Sequence, residues 1–245
     1  MIDKHPLQKN FIVLEGNIGA GKSTMLTLLK KAFDINPIPE PTDKWQKVGK
    51  TDNLLELFYK DTPRWAYTFQ SYAFLTRVQT ILSHHMEVTD DKMHVLERSV
   101  YCDRFCFAKN CYESGYMSPL EWHIYKEWFS WLVENFAPRP VGFIYLKTNP
   151  EVSHQRILKR CRQEEVGIPL AYLKSLHDKH EDWLTHNKEP LESLKNVPIL
   201  TLDCNNEFEQ NTQQLDKHLE AIDTFISKLQ YTKKSHGLSN INAQP

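Results

Sequence analysis

The chain has 245 residues, a formal net charge of −1 and no block of like charge. That length buries a core without staples and favours one α/β domain, while the near-neutral charge argues against nucleic acid or a membrane surface as partner. The five cysteines (Cys102, Cys106, Cys111, Cys161 and Cys204) are odd in number and show neither a CxxC pair nor the histidine that a zinc pattern would add, so they read as reduced thiols.

Residues 1–10 are polar and contain Asp3, with no apolar run for a signal peptide and no Arg-rich amphipathic pattern. They read as a short N-terminal extension to a domain over 11–230 in a cytoplasmic protein, and no stretch is long enough to span a bilayer. An apolar run at 11–14 predicts a strand that ends in a Gly-containing turn, and 23–32 has the composition of a helix. Further apolar runs at 95–96, 141–146 and 197–202 are separated by long helical stretches. Buried strands alternating with helices imply a mostly parallel sheet with helices on both faces.

The turn after the first strand, Gly16-Asn17-Ile18-Gly19-Ala20-Gly21-Lys22-Ser23 followed by Thr24, fits G-x-x-x-x-G-K-[ST] in the required strand-to-helix context. Its glycines let backbone N–H groups converge on phosphate oxygens. Lys22 would reach the β- and γ-phosphates, and Ser23 would hold Mg²⁺. A nucleoside triphosphate is the expected ligand. The loop alone does not separate a kinase from a nucleotide switch, but no base-reading Asn/Thr-Lys-x-Asp motif is evident.

Between that loop and Glu97 the chain is rich in aromatics, with Trp45, Phe58, Tyr59, Trp65, Phe69 and Tyr72 suited either to ordinary core or to the walls of a planar-ring pocket. A helix over 65–82 sets Gln70 and Arg77, seven positions apart, on one face among Ala73, Phe74 and Ile81. An amide and a guanidinium in an apolar stripe need partners: a base edge for Gln70 and Asp103 for Arg77. At the end of the strand over 93–96, Glu97 should face Lys22 and Ser23, where a carboxylate can take the proton of an attacking hydroxyl or ligate the metal.

Ser118-Pro119-Leu120-Glu121 carries a capping serine, a first-turn proline and a glutamate three residues after the cap, so a helix starts there. Its stripe of Trp122, Tyr125, Phe129, Leu132, Val133 and Phe136 suits core packing or a helix-to-helix dimer face. Arg156, Arg160 and Arg162, followed by the acidic Gly/Pro turn from Glu164 to Pro169, suggest a lid over the phosphates. Residues 231–245 lack periodicity and read as a flexible tail.

Taken together, GNIGAGKST, Pro39-Glu40-Pro41, Trp45, Arg64 to Gln70, the Glu97-Arg98-Ser99 stretch through Arg104 and Arg160 to Glu165 resemble the deoxynucleoside kinase family over 10–229. The resemblance implies a P-loop fold with a five-stranded parallel sheet, helices on both faces and a helical lid, and homodimers paired through long helices. By the same resemblance, Glu97 would be the general base for a 5′-hydroxyl. Arg98 would orient the acceptor and the phosphates, and Glu40 would hold the hydroxyl or the metal. Tyr59 and Glu165 would bind the 3′-hydroxyl, Gln70 would read the base, and Phe107 would stack under it. Ile18, Trp45, Leu55, Phe58 and Phe69 would wall the pocket. Arg160 and Arg162 would be the lid arginines, and the loop with Glu207 and Phe208 would lie against the donor base, ATP or UTP.

Arg77 with Asp103 is similar to the pattern of members that prefer deoxycytidine or deoxyguanosine. A carboxylate held by Arg77 accepts from an exocyclic amine and opposes the O4 carbonyl of thymine. The expected acceptor is therefore deoxycytidine, with deoxyadenosine and deoxyguanosine accepted because Ala73 leaves room. Cys102 stands where related sequences often carry serine. The alternatives are a thymidine-preferring or broad-specificity member of the family, a nucleoside monophosphate kinase, and a P-loop switch with no acceptor pocket.

Overall fold

In the computed structural model, residues 10–49, 51–88, 90, 92–189 and 191–241 are described, with side chains as far as 230. Five short strands, β1 (Phe11–Glu15), β2 (Ile35–Ile38), β3 (Met93–Glu97), β4 (Gly142–Lys147) and β5 (Ile199–Asp203), form one sheet. All pairings are parallel, in the order β2-β3-β1-β4-β5. Strands β1, β3 and β4 are central and buried on both faces, which is why they read as unbroken apolar runs rather than alternating ones. β2 has no such run because Pro37 interrupts it. Its edge position tolerates the missing N–H, and Pro37 lies opposite Val95.

The helices are α1 (Lys22–Ala32), α2 (Thr42–Gln46), α3 (Leu54–Lys60), α4 (Thr62–Glu87) and α5 (Val100–Cys102), which runs through a π-helical turn (Asp103–Ala108) into α6 (Lys109–Glu113). After them come α7 (Pro119–Phe136), α8 (Pro150–Arg160), α9 (Leu170–His180) and α10 (Thr212–Ile241). Alternate residues of β1 feed two cores. Phe11 and Val13 join α4, α7, α9 and the π-helical turn on one face, and Ile12 and Leu14 join Met25, Leu26 and Leu29 of α1 and Ile222 of α10 on the other.

The start of α7 follows its sequence signals. Ser118 Oγ accepts from Glu121 N at 3.2 Å, and Glu121 Oε2 accepts from Ser118 N at 2.7 Å. Trp122, Tyr125, Phe129 and Leu132 are buried, and Val133 and Phe136 pack at the margin of the same core. The stripe is thus core rather than interface. Beside that stripe, Trp128 and Trp131 are 54% and 51% exposed.

At the chain ends, residues 1–9 and 242–245 lie outside the described residues, and so do the side chains of 231–241, whose backbone continues α10. Among the described residues no helix is long and apolar enough to cross a membrane.

Candidate active site

Register decides where the polar side chains gather. Leu14 pairs with Glu97 and Ile38 with Leu96, so β1, β2 and β3 finish level. The loop after β1, Glu40 beyond β2 and Glu97 of β3 thus share one rim, the carboxyl edge where open parallel sheets bind ligands. A cleft opens there with about 1040 Å³ of space including its mouth.

The loop from Gly16 to Gly21 is shaped by close approaches. Gly19 has φ 77°, and a Cβ there would lie 2.5 Å from the Ser153 carbonyl oxygen of α8. Gly21, at φ 94°, would meet the Phe208 ring at 2.7 Å. Asn17 does not point into the cleft. Its amide donates to Leu173 O at 2.8 Å and its Oδ1 accepts from Ile18 N, tying the loop to α9. Gly16, Asn17 and Ala20 therefore shape the loop from behind, and Gly19, Gly21, Lys22, Ser23 and Thr24 line the cleft.

Lys22 is buried and folded onto its own loop, with Nζ donating to Gly16 O at 3.1 Å and Asn17 O at 2.8 Å. Burial, reinforced by the Arg98 charge and only partly offset by Glu40 and Glu97, brings its pKa down to about 8. An ammonium so placed gains strongly from an anionic ligand. Next to it, Ser23 Oγ donates to Glu97 Oε1 at 2.6 Å. A hydroxyl beside a carboxylate is a hard oxygen set that fits Mg²⁺.

A second cluster forms around Arg77. Its guanidinium donates to Asp103 and to Glu40, and Arg98 Nε donates to the same Glu40 oxygen at 3.0 Å. Burial alone would raise Glu40, but the two arginines outweigh it and hold the carboxyl at about 2. Asp103 behaves oppositely. Burial pushes it up to about 7 despite Arg77, whose charge Glu40 shares. Asp103 Oδ2 and Arg77 Nε are buried without a hydrogen-bond partner among the described residues. Arg77 also lies over the Trp45 ring at 4.7 Å, and Trp45 Nε1 donates to Thr76 Oγ1 at 2.8 Å.

Arg98 is held in the left-handed region at φ 62°. The next residue explains how the turn is kept. Ser99 N and Oγ both donate to Glu15 Oε1, at 2.9 and 2.5 Å, and Ser99 Oγ caps α5. Buried Glu15 has its pKa raised by that burial. Nothing in the sequence pattern singled it out, since it follows an apolar strand as an ordinary terminal residue.

The apolar walls are Ile18, Trp45, Leu55, Phe58, Phe69 and Phe107, with Phe58 and Phe69 stacked at 4.5 Å and Arg98 over Phe107 at 4.5 Å. Gln70 is buried in the same lining, its Nε2 3.8 Å from Cys111 Sγ. Tyr59 and Glu165 close one side. Burial and then Glu165 raise the Tyr59 hydroxyl, and Glu165 takes Arg160 and Arg162 together, the latter at 3.3 Å. Glu164 is bonded instead by Gln46 at 2.9 Å and Asn53 at 3.0 Å, clasping the 163–165 turn to α2 and α3.

Glu207 and Phe208 are outside the cleft lining. The Glu207 carboxylate accepts from Glu209 N, Gln210 N and Asn211 N, capping the approach to α10. Phe208 packs behind Gly21 with Arg156 5.8 Å over its ring, while Arg156 Nη2 donates to Asn206 O at 3.0 Å. Arg156 thus belongs to this outer loop rather than to the cleft with Arg160 and Arg162.

The family model described as deoxynucleoside kinase matches residues 12–227. The chain belongs to the deoxynucleoside kinase family. It is 41% identical over 240 residues to the deoxycytidine kinase of Homo sapiens, covering 89% of this chain and 91% of that protein. With deoxycytidine kinase 2 of Gallus gallus it shares 40% over 238 residues, 88% and 90% of the two chains. A mitochondrial deoxyguanosine kinase of Xenopus laevis is 37% identical over 243 residues, 91% and 92%. The deoxynucleoside kinase assignment makes this chain a phosphotransferase with an alcohol acceptor.

Proposed function

We propose that this kinase transfers the γ-phosphoryl group of ATP or UTP to the 5′-hydroxyl of a deoxynucleoside, preferring deoxycytidine and also accepting deoxyadenosine and deoxyguanosine. The observation that carries the base preference is Asp103, a buried carboxyl fixed by Arg77 with Oδ2 lacking a hydrogen-bond partner among the described residues. An acceptor atom at that place is matched by an exocyclic amine, which cytosine, adenine and guanine each carry, and is opposed by the O4 carbonyl of thymine, which carries none. The names of the relatives, deoxycytidine kinase and deoxyguanosine kinase, support deoxycytidine and deoxyguanosine as acceptors.

In this reading the base lies between Phe107 and the Trp45, Phe58 and Phe69 walls, with Gln70 at its edge. Tyr59 and Glu165 bind the 3′-hydroxyl, and Glu97 takes the proton of the 5′-hydroxyl as it attacks. Arg98, anchored by Glu40, orients the acceptor end. Lys22, the backbone of the loop from Gly16 to Gly21, Arg160 and Arg162 neutralise charge spread over the transferring group. Ser23 and Glu97 would hold Mg²⁺, which when bound shields the phosphate oxygens from the nucleophile. The Arg156–Phe208 layer supports placing the donor base beyond the loop. We further infer a homodimer through α4 and α7, supported by the exposed Trp128, Trp131 and Leu120 on one helix and Leu75 and Met86 on the other.

Acceptor-dependent ADP release with ATP and Mg²⁺ tests the reading across deoxycytidine, deoxyadenosine, deoxyguanosine, thymidine and thymidine monophosphate. Release led by deoxycytidine is expected. Release led by thymidine removes the Asp103 argument, and release only with the monophosphate removes the acceptor assignment.

A further inference from the structure

Behind Arg98, away from the cleft, three metal-ligating side chains meet in the protein interior. Cys102 closes α5, Cys106 lies on the π-helical turn, and His180 ends α9. All three are wholly buried, and their ligand atoms lie within 4.8 Å of one another. Cys102 Sγ and His180 Nε2 are 3.4 Å apart. That is close to the edge expected between two ligands on one zinc-sized ion, given metal–sulfur and metal–nitrogen bonds of about 2.3 and 2.0 Å.

Two features prepare the set for a cation. The His180 ring has its other nitrogen, Nδ1, 2.7 Å from the Leu176 carbonyl oxygen. A carbonyl can only accept, so Nδ1 carries the proton and the Nε2 lone pair faces the sulfurs, the arrangement in which metal-bound histidines are held. Arg98 Nη1 lies 3.0 Å from Cys102 Sγ, where a guanidinium favours the thiolate, the form that ligates. The cysteines are four positions apart, and His180 arrives from 78 positions beyond Cys102, so no zinc-like spacing is present in the sequence.

We propose that Cys102, Cys106 and His180 form a binding site for one soft, sulfur-preferring cation, Zn²⁺ or Cu⁺, which braces the π-helical turn against the end of α9. Binding forms two metal–sulfur bonds and one metal–nitrogen bond. Cys102 already stands as the thiolate beside Arg98, so binding releases one proton to solvent, from the Cys106 thiol, with no change of oxidation state. Since the turn carries Asp103 and Phe107, the brace would stiffen one wall of the cleft from outside it.

The full chain, kept reduced with a phosphine, is titrated with Cd²⁺ as the Zn²⁺ probe and separately with Cu⁺, following thiolate-to-metal charge-transfer absorbance and proton release in weak buffer. One equivalent per chain with one proton released is expected, lost in Cys106→Val and in His180→Phe and kept in Cys161→Ser. Saturation by Cd²⁺ assigns the divalent class, and saturation by Cu⁺ alone the monovalent one. Absence of a stoichiometric step with both ions overturns the proposal. So does a step that survives Cys106→Val but disappears in Cys161→Ser, which would move the metal to the exposed thiol. Should the core variants fail to fold, the Cys161→Ser chain still decides, since a stoichiometric step that persists in it does not come from the exposed thiol and a step lost in it overturns the proposal.

Discussion

Lys22 shows how a single residue can be costly to the fold and, in the proposed function, useful to the reaction. Its ordinary pKa of 10.5 falls to about 8 through burial. The unfolded chain therefore holds this proton more tightly, and Lys22 costs about 3 kcal/mol below pH 8, a cost that fades as pH rises from 8 towards 10.5. Lys22→Met should leave ligand-free stability at pH 7 unchanged or higher by up to about 3 kcal/mol, while turnover falls at least ~10²-fold. Denaturant melts at pH 7 and 9.5 check this, and a large loss of stability at pH 7 would refute it.

Asp103 titrates in the working range, its carboxyl raised by burial to about 7. Below that pH a protonated Asp103 can donate to a carbonyl, and above it the carboxylate only accepts. The kcat/KM ratio of deoxycytidine over thymidine should therefore climb several-fold between pH 6 and 8. A flat ratio would detach Asp103 from base choice. At Glu97, substitution by Gln keeps the size and a hydrogen bond to Ser23 but removes the proposed base. Turnover should drop roughly 10²-fold or more with deoxycytidine affinity nearly intact, as read by single-turnover kinetics and calorimetry.

Among the elements, the turn at 163–165 divides its two glutamates between different tasks. Glu165 gathers Arg160 and Arg162, and Glu164 clasps Gln46 and Asn53. Glu164→Ala should free the turn and the α2–α3 segment together, seen as faster amide exchange in both and a several-fold rise in the nucleoside KM. Exchange that changes in only one segment would show that they are not coupled.

The sequence made some of these elements plain and hid others for definite reasons. The α7 start was legible because Ser118, Pro119 and Glu121 act on neighbouring backbone groups. The loop from Gly16 to Ser23 was legible because its glycine, lysine and serine spacing stands between a strand and a helix, although the close approaches that require Gly19 and Gly21 come from distant Ser153 and Phe208. β2 was obscure, since Pro37 breaks an already short strand that only pairing with β3 defines, and Glu40 came into view through family likeness rather than pattern. The sharing of Arg77 between Asp103 and Glu40, the Glu15 tie to Ser99 and the meeting of His180 with two cysteines depend on register and helix packing, which no local window contains.

For the whole molecule, the inferred pairing through α4 and α7 makes a direct demand. Two half-exposed tryptophans on one helix are more apolar surface than a lone chain keeps without reason. Trp128→Glu together with Trp131→Lys should yield monomers in sedimentation at micromolar concentration, with the core stripe of Trp122, Tyr125 and Phe129 untouched. A parent chain that sediments as a monomer would remove the inference.

Pro37 bears on the same question from the edge of the sheet. An edge strand offers its unpaired N–H and C=O groups to any extended segment that comes alongside, and such stacking has no natural end. A proline in the middle of a four-residue edge removes a donor and bars continuous pairing there. Joining of copies by strand addition at β2 is thereby discouraged, which leaves the inferred pairing between helices, one that a two-fold axis can close into a finite pair.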